Sequence, residues 1–359
     1  MPRPRPPSHI APAFRAGQRA PDFMLPNPDG KFGRFYDRFL GNQVILFFYP
    51  SSAEPHALDE LLAFQAQREA LEAAGARVVA VSRDSAVENA RVAAAHGLKF
   101  TLFSDPAGAI TGGYGAARDG ACTCYVLDRN QRVLDVAAGG GDHASRALAR
   151  LIAHAPTATP PRTIGAQAPV LVLPNVVDPS LCSWSIAAWQ ADHEEGAVRQ
   201  RAGTAATDES ATRVVDYALK KRLDHRPDDA LDAALRDTVI SRIGPEIYKA
   251  FQFRVVAAER FCIGAYEAGR GDYFQPHRDN TTERTANRRF AVTLNLNDAY
   301  SGGGVRFTEF SDDVYRPPAG GALIFSCSLL HEALPVVEGT RFAALTFMFG
   351  PDDVPPPPA

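Results

Sequence analysis

"RFAVTLNLN", residues Arg289–Asn297, alternates without a break. Phe290, Val292, Leu294 and Leu296 fall on one side of an extended chain, and Ala291, Thr293 and Asn295 on the other, because successive strand side chains point to opposite faces. "GGALIFSCS" (Gly320–Ser328) and "TRFAALTFMF" (Thr340–Phe349) read as further strands, and the pattern is β from Phe253 onward. Helical signals precede it. Asp178–Pro179 is an N-cap and first-turn pair, and the helix after it carries Trp184 and Trp189, both read as core anchors. Leu231, Leu235, Val239 and Ile243 form one apolar stripe, with Gly244–Pro245 as its expected end. Helices followed by antiparallel strands predict an α+β unit built on a jelly-roll-like sandwich.

The first half has a different rhythm. "QVILFFY" (Gln43–Tyr49) is a continuous apolar run, as in a strand buried on both faces. A helix follows, with Leu61, Phe64 and Leu71 on one side and Gly75 as its stop. Then come a strand at 76–82, a helix at 87–97, a strand at 100–105, a hairpin turning at Asp128–Asn130, and a helix at 143–155. This order predicts an α/β sandwich.

A chain of 359 residues suits two domains, and 45% hydrophobic with 22% charged residues gives each a core. Pro-rich stretches suggest the boundaries: a disordered tail at 1–15, a domain at 16–156, a linker at 157–168, a domain at 169–350 and a disordered tail at 351–359. The net charge of −3 gives no reason to expect nucleic acid or an anionic membrane as partner. The N-terminus has arginines but no apolar run after them, and no stretch approaches the ~18 apolar residues of a membrane span. Five cysteines with no CxxC pair fit a reducing cytoplasm.

"YFQPHRDNTT" (Tyr273–Thr282) carries the chemistry. On a strand, His277 and Asp279 share a face and can reach one ion. His331 is the only later histidine. Two histidines and one carboxylate make the facial triad of non-haem Fe(II) oxygenases, with zinc as the weaker alternative. Arg341 lies ten residues beyond His331 at the start of an apolar strand, where a guanidinium needs an anion to bind. Around the motif, Arg278, Asn280, Arg288 and Arg289 could bind an acidic or phosphate-bearing substrate or form a solvated loop. Thr281–Arg289 could be a lid.

"YEAGRGDYFQPHRD", the later His331 and "GTRFAALTF" resemble the prolyl-4-hydroxylase-like branch of the Fe(II)/2-oxoglutarate-dependent dioxygenases, over about Pro169–Gly350. The resemblance implies a double-stranded β-helix (jelly roll) with flanking helices, and Fe(II), 2-oxoglutarate, O2 and usually ascorbate. It makes His277, Asp279 and His331 the iron ligands. Arg341 becomes the partner of the distal carboxylate of 2-oxoglutarate, and Tyr266 a hydrogen-bond partner of the same co-substrate. The expected reaction is hydroxylation of an unactivated C–H bond in a protein prolyl residue or a small molecule.

The first block resembles the thioredoxin-fold peroxiredoxins over about Phe14–Pro156, in "RAPDFMLPNPDG", "VILFFYP" and "CYVLDRNQRV". The family's catalytic cysteine would fall near His56 or Ala57, and Glu54 stands where its threonine is expected. No cysteine precedes Cys122, so the block reads as a thioredoxin-like module without peroxidase chemistry. Cys122 and Cys124 share a strand face and read as buried structural thiols, as do Cys182, Cys262 and Cys327. The competing reading is an inactive binding or redox-sensing protein that uses Cys122 and Cys124.

Overall fold

The computed structural model describes residues 13–155, 160–161, 163–196, 198–199 and 213–353. Most of the expected tail at 1–15, part of the expected linker at 157–168 and residues 354–359 of the other tail lie outside these. The chain divides into two compact units, Met1–Pro160 and Pro161–Ala359.

The first unit is the expected thioredoxin-like α/β sandwich. Its sheet runs Thr101–Ser104, Ala76–Ser82, Gln43–Phe48, Cys122–Leu127, Val133–Gly139. The first three strands are parallel and the last two antiparallel. Gln43–Phe48 lies in the middle and is buried throughout. Ile45 and Phe47 pack with Leu61, Phe64 and Leu71 on one face. Val44, Leu46 and Phe48 pack with Phe23, Phe35 and Phe103 on the other. The continuous apolar run therefore satisfies two layers at once.

The helix expected to run through to Gly75 is two helices, Pro55–Ala66 and Arg68–Ala73. Gln67 breaks them, and its side-chain amide donates to Ser145 Oγ at 2.8 Å. Gly75, at φ +81°, supplies the left-handed residue that ends the second.

The second unit is a jelly roll with flanking helices. Its large sheet has the order Leu171–Leu173, Ala322–Ser326, Phe290–Asn295, Val336–Phe349, Cys262–Glu267, Leu223–His225, Glu194–Glu195. Facing strands form the small sheet: Lys220–Lys221, Tyr273–His277, His331–Ala333, Val305–Arg306, Val314–Tyr315. The alternation in Phe290–Asn295 is used in full. Phe290, Val292 and Leu294 join the helices in one core, while Ala291 joins Leu323, Phe325, Phe307 and Cys327 in another.

Three helical expectations need correction. The apolar stripe does not stop at Gly244–Pro245, because the helix runs from Asp229 to Phe251 with Pro245 inside it. An interior proline costs ~3 kcal/mol. Ile247, on the turn beyond it, is fully buried, and burying an isoleucine returns about 1.5–3 kcal/mol, which offsets part of that cost. Trp189 is a core anchor, but Trp184 is exposed, since Cys182, Ser185 and Trp189 define the inward face of helix Pro179–Ala191. Asp178 occupies the N-cap position without capping, and its carboxylate takes a bond from Arg242 Nη2 at 3.1 Å. The short strands between residues 194 and 225 were not expected, being too brief to alternate.

Leu235 is fully buried among the residues that join the long helix to the sheet. Leu235→Ala should lower stability by about 3 kcal/mol. Urea unfolding followed by the fluorescence of Trp189, which sits in the same core, measures this; a loss under about 1 kcal/mol would mean that the helix does not anchor that face.

Candidate metal and co-substrate site

His277 ends its strand, and its register partner on the neighbouring strand is His331. Asp279 lies just past the strand rather than on it, and its backbone N–H donates to Cys327 O at 2.9 Å. These constraints bring together ligand atoms from all three residues, each within 4.8 Å of the others. Among the described residues this is the one such group. Nε2 of His277 lies 3.5 Å from Asp279 Oδ1, and Nε2 of His331 lies 3.5 Å from Asp279 Oδ2.

Both imidazoles are oriented from behind. His277 Nδ1 donates to Gln275 O at 2.7 Å, and His331 Nδ1 to Leu329 O at 3.0 Å. A proton fixed on Nδ1 leaves the Nε2 lone pair for a metal. Phe274 stacks on His277 at 3.6 Å between centroids, and Phe325 packs edge-on against His331 at 4.5 Å. Burial holds the His331 pKa below its ordinary value, with His277 adding to the effect and Asp279 opposing it. A neutral ring is the form that ligates.

Arg341 sits on the Val336–Phe349 strand, paired in register with Tyr266. It is only 2% exposed, and its Nε has no hydrogen-bond partner. Its guanidinium carbon stands 5.5 Å from the centre of the Tyr266 ring. Tyr266, Tyr300 and Val336 form a small cluster of their own. Tyr300 donates to Asn295 Oδ1 at 2.9 Å. The arrangement fits a dicarboxylate co-substrate: a buried orphan guanidinium calls for an anion.

The other basic residues near the motif are already engaged. Arg278 pairs with Glu309 at 2.6 Å, Arg288 with Glu259 at 2.7 Å, and Arg289 with Asp353 through Nε at 2.8 Å. Asn280 Nδ2 donates to Ser328 Oγ at 2.8 Å. Asn287 Nδ2 donates to Asp353 O at 3.0 Å, so Thr281–Arg289 is fastened at several points along its second half.

Sequence reasoning missed a polar cluster behind Tyr266. Arg222 Nη1 donates to the Tyr266 hydroxyl at 3.0 Å, and Arg222 Nε reaches Asp224 Oδ1 at 2.5 Å. Lys220 Nζ donates to Asp224 Oδ2 at 2.9 Å. Burial and the adjacent Arg222 push the Lys220 amine down to about 8. Cys262, expected in an apolar setting, has its sulfur 3.8 Å from Arg222 Nη2 instead.

In the first unit, Ala57 is fully buried in the first turn of helix Pro55–Ala66, and Glu54 makes no side-chain cap. Cys122 and Cys124 lie in the same apolar cluster as Ala57 and Phe47, buried as expected, and all five cysteines are free thiols. Burial, with a contribution from Glu60, pushes Cys122 up to about 12; Cys124, also buried, is pushed higher. No helix among the described residues is long and apolar enough to cross a membrane.

The family model of the AhpC/TSA family matches residues 16–136, and that of the 2OG-Fe(II) oxygenase superfamily matches residues 263–349. The chloroplastic peroxiredoxin Q of Oryza sativa subsp. japonica is 32% identical over 119 residues, 32% of this chain and 54% of the relative. A bcp peroxiredoxin of Coxiella burnetii is 33% identical over 107 residues, 30% of this chain and 70% of the relative. The chain thus spans about half the length of the first curated relatives it matches. Among solved structures, the peroxidoxin BcpB from Mycobacterium tuberculosis is similar at 28% identity and a TM-score of 0.37, covering 39% of this chain and 98% of that one. Through its first unit the chain belongs to the peroxiredoxin family, and through residues 263–349 it carries a domain of the 2OG-Fe(II) oxygenase superfamily.

Proposed function

We propose that the protein is an Fe(II)- and 2-oxoglutarate-dependent dioxygenase that hydroxylates an unactivated C–H bond of a protein prolyl residue or a small molecule, in the cytoplasm, with ascorbate as a supporting reductant. The observation that carries it is the coincidence of the His277–Asp279–His331 donor set with an orphan guanidinium at Arg341. When bound, Fe(II) with 2-oxoglutarate and O2 supplies the oxidising chemistry.

The chain's own residues do the rest. His277 and His331 present Nε2 because Gln275 O and Leu329 O hold the opposite nitrogens. Asp279 supplies the one anionic ligand, its position set by Cys327 O. Arg341 binds the distal carboxylate of the keto acid, and Tyr266 adds a hydrogen bond to the same molecule. Phe325 and Phe307 pack around His331, which keeps water from that side of the metal. Asn280 and Arg289 remain the candidate substrate contacts at the rim, where Arg289 would have to share its charge with Asp353. No nucleic-acid or membrane partner is invoked.

Anaerobic titration of the apo-protein with Fe(II) and then 2-oxoglutarate should give a visible metal-to-ligand charge-transfer band. His331→Ala should abolish it, and Arg341→Ala should weaken co-substrate binding on the order of a hundredfold. A folded protein with saturating iron and no band would overturn the reading.

The first unit is a thioredoxin-like accessory module without thiol peroxidase activity. A peroxidase needs an accessible thiolate, and Cys122 and Cys124 are sealed in the core with raised pKa values. The same features weigh against a redox sensor at these two cysteines. At pH 7.5 to 8 an aromatic disulfide reagent should leave Cys122 and Cys124 unlabelled in the native protein and label both in denaturant, as mapped by peptide mass. Rapid native labelling of either would favour the sensor reading.

A further inference from the structure

The cluster behind Tyr266 is built, and the mechanism above does not use it. Lys220, Arg222 and Asp224 are each at most 7% exposed. Two cations share one carboxylate. Burial disfavours the charge on Asp224, but Arg222 and Lys220 outweigh it and hold its pKa below the usual range. The backbone is shaped to admit the cluster. A Cβ on Gly264 would stand 3.0 Å from Arg222 Nε, and one on Gly196 would stand 2.8 Å from both Asp224 Oδ2 and Lys220 Cε. Tyr266 is flanked by two arginines, with the Arg222 guanidinium carbon 5.6 Å and that of Arg341 5.5 Å from its ring centre.

A guanidinium has donors only. The bond between Arg222 Nη1 and the Tyr266 oxygen therefore makes that oxygen the acceptor. The hydroxyl hydrogen is not consumed by this bond, and Tyr266 donates to no described residue. A buried phenol seeks an acceptor for that hydrogen. The nearest charged groups on the two sides of the ring, Arg341 and Arg222, cannot accept. A ligand oxygen can take that hydrogen, and an anionic one also answers the surplus positive charge.

We propose that Arg222 is a positioning residue for the co-substrate: by occupying the Tyr266 oxygen as a donor, it turns the hydroxyl hydrogen toward a carboxylate oxygen of 2-oxoglutarate, with Asp224 and Lys220 fixing the guanidinium. This rests on the dioxygenase reading above. Arg222 lies between the strands Lys220–Lys221 and Leu223–His225, and it acts through Tyr266 rather than by touching the keto acid.

The test is 2-oxoglutarate affinity in the Fe(II)-loaded full chain under anaerobic conditions, read from the charge-transfer band. Arg222→Met leaves Lys220 and Asp224 as a balanced pair and should weaken 2-oxoglutarate roughly tenfold, with Fe(II) affinity unchanged. Arg222→Lys, which keeps the charge but loses the fork, should recover part of the loss. Tyr266→Phe should weaken binding similarly, and adding Arg222→Met to it should cost nothing more. Wild-type affinity in a folded Arg222→Met protein overturns the inference. So do losses that multiply in the double variant, since Arg222 would then act independently of Tyr266. If the methionine variant does not fold, Arg222→Lys decides in the same way: its loss must vanish in the Tyr266→Phe background. A wild-type protein without a band defeats the dioxygenase reading and this inference together, whereas a wild-type band with an indifferent Arg222 defeats this inference alone.

Discussion

Burying an arginine without a carboxylate partner costs several kcal/mol, and Arg341, which has none among the described residues, bears that cost on the central strand of the large sheet. The neighbours explain how the fold tolerates it. Val336–Phe349 is hydrogen-bonded on both sides, to Phe290–Asn295 and Cys262–Glu267, so the strand cannot turn the side chain outward without losing two ladders. The ring of Tyr266 faces the guanidinium, a contact worth ~1–2 kcal/mol when desolvated. That does not offset the full penalty, and the remainder would be answered by a bound anion, as the proposed co-substrate supplies.

The metal group follows from register in the small sheet. His277 faces His331 across an antiparallel pair, and a register irregularity between Phe274 and His277 sets where that pairing falls. A slip of one residue would turn one imidazole to the opposite face. Asp279 escapes this dependence because it lies beyond the strand, tied by its own N–H to Cys327 O. Cys327 in turn belongs to the core between the sheets, with Phe307 and Phe325. The three candidate ligands are thus held by one strand pairing and one backbone bond to the core.

Much of this was legible in the sequence because it was local. An i, i+2 pair of ligands, a single later histidine and a charge inside an apolar strand need no knowledge of tertiary structure. The strands themselves were legible wherever alternation ran for six residues or more, as in Phe290–Asn295. What failed was non-local. Arg222 and Asp224 lie on and beside strands of two or three residues, too short to show a period, and the partner of Arg222 is 44 positions away at Tyr266. Trp184 was misplaced because residue type decided the reading where helix phase should have: Cys182, Ser185 and Trp189 already fix the buried face. The proline at 245 was read as a stop because local cost is visible in sequence, whereas the burial of Ile247 that offsets part of it is not.

The two units carry opposite answers to one physical question, namely what a buried reactive group is given to work with. Around Tyr266 and Arg341, donors outnumber acceptors, and the imbalance favours a ligand. Around Cys122 and Cys124 the surroundings are aliphatic and aromatic side chains, and burial raises both thiols, with the carboxylates of Glu60 at Cys122 and of Asp135 and Glu60 at Cys124 acting in the same direction. Ala57 contributes only a methyl group to the same core. The sheet needs nothing more from that position, because Ile45, Phe47, Leu61 and Phe64 supply the packing. The layers of this thioredoxin-like frame are thus held by aliphatic and aromatic packing that asks for no reactive group at position 57.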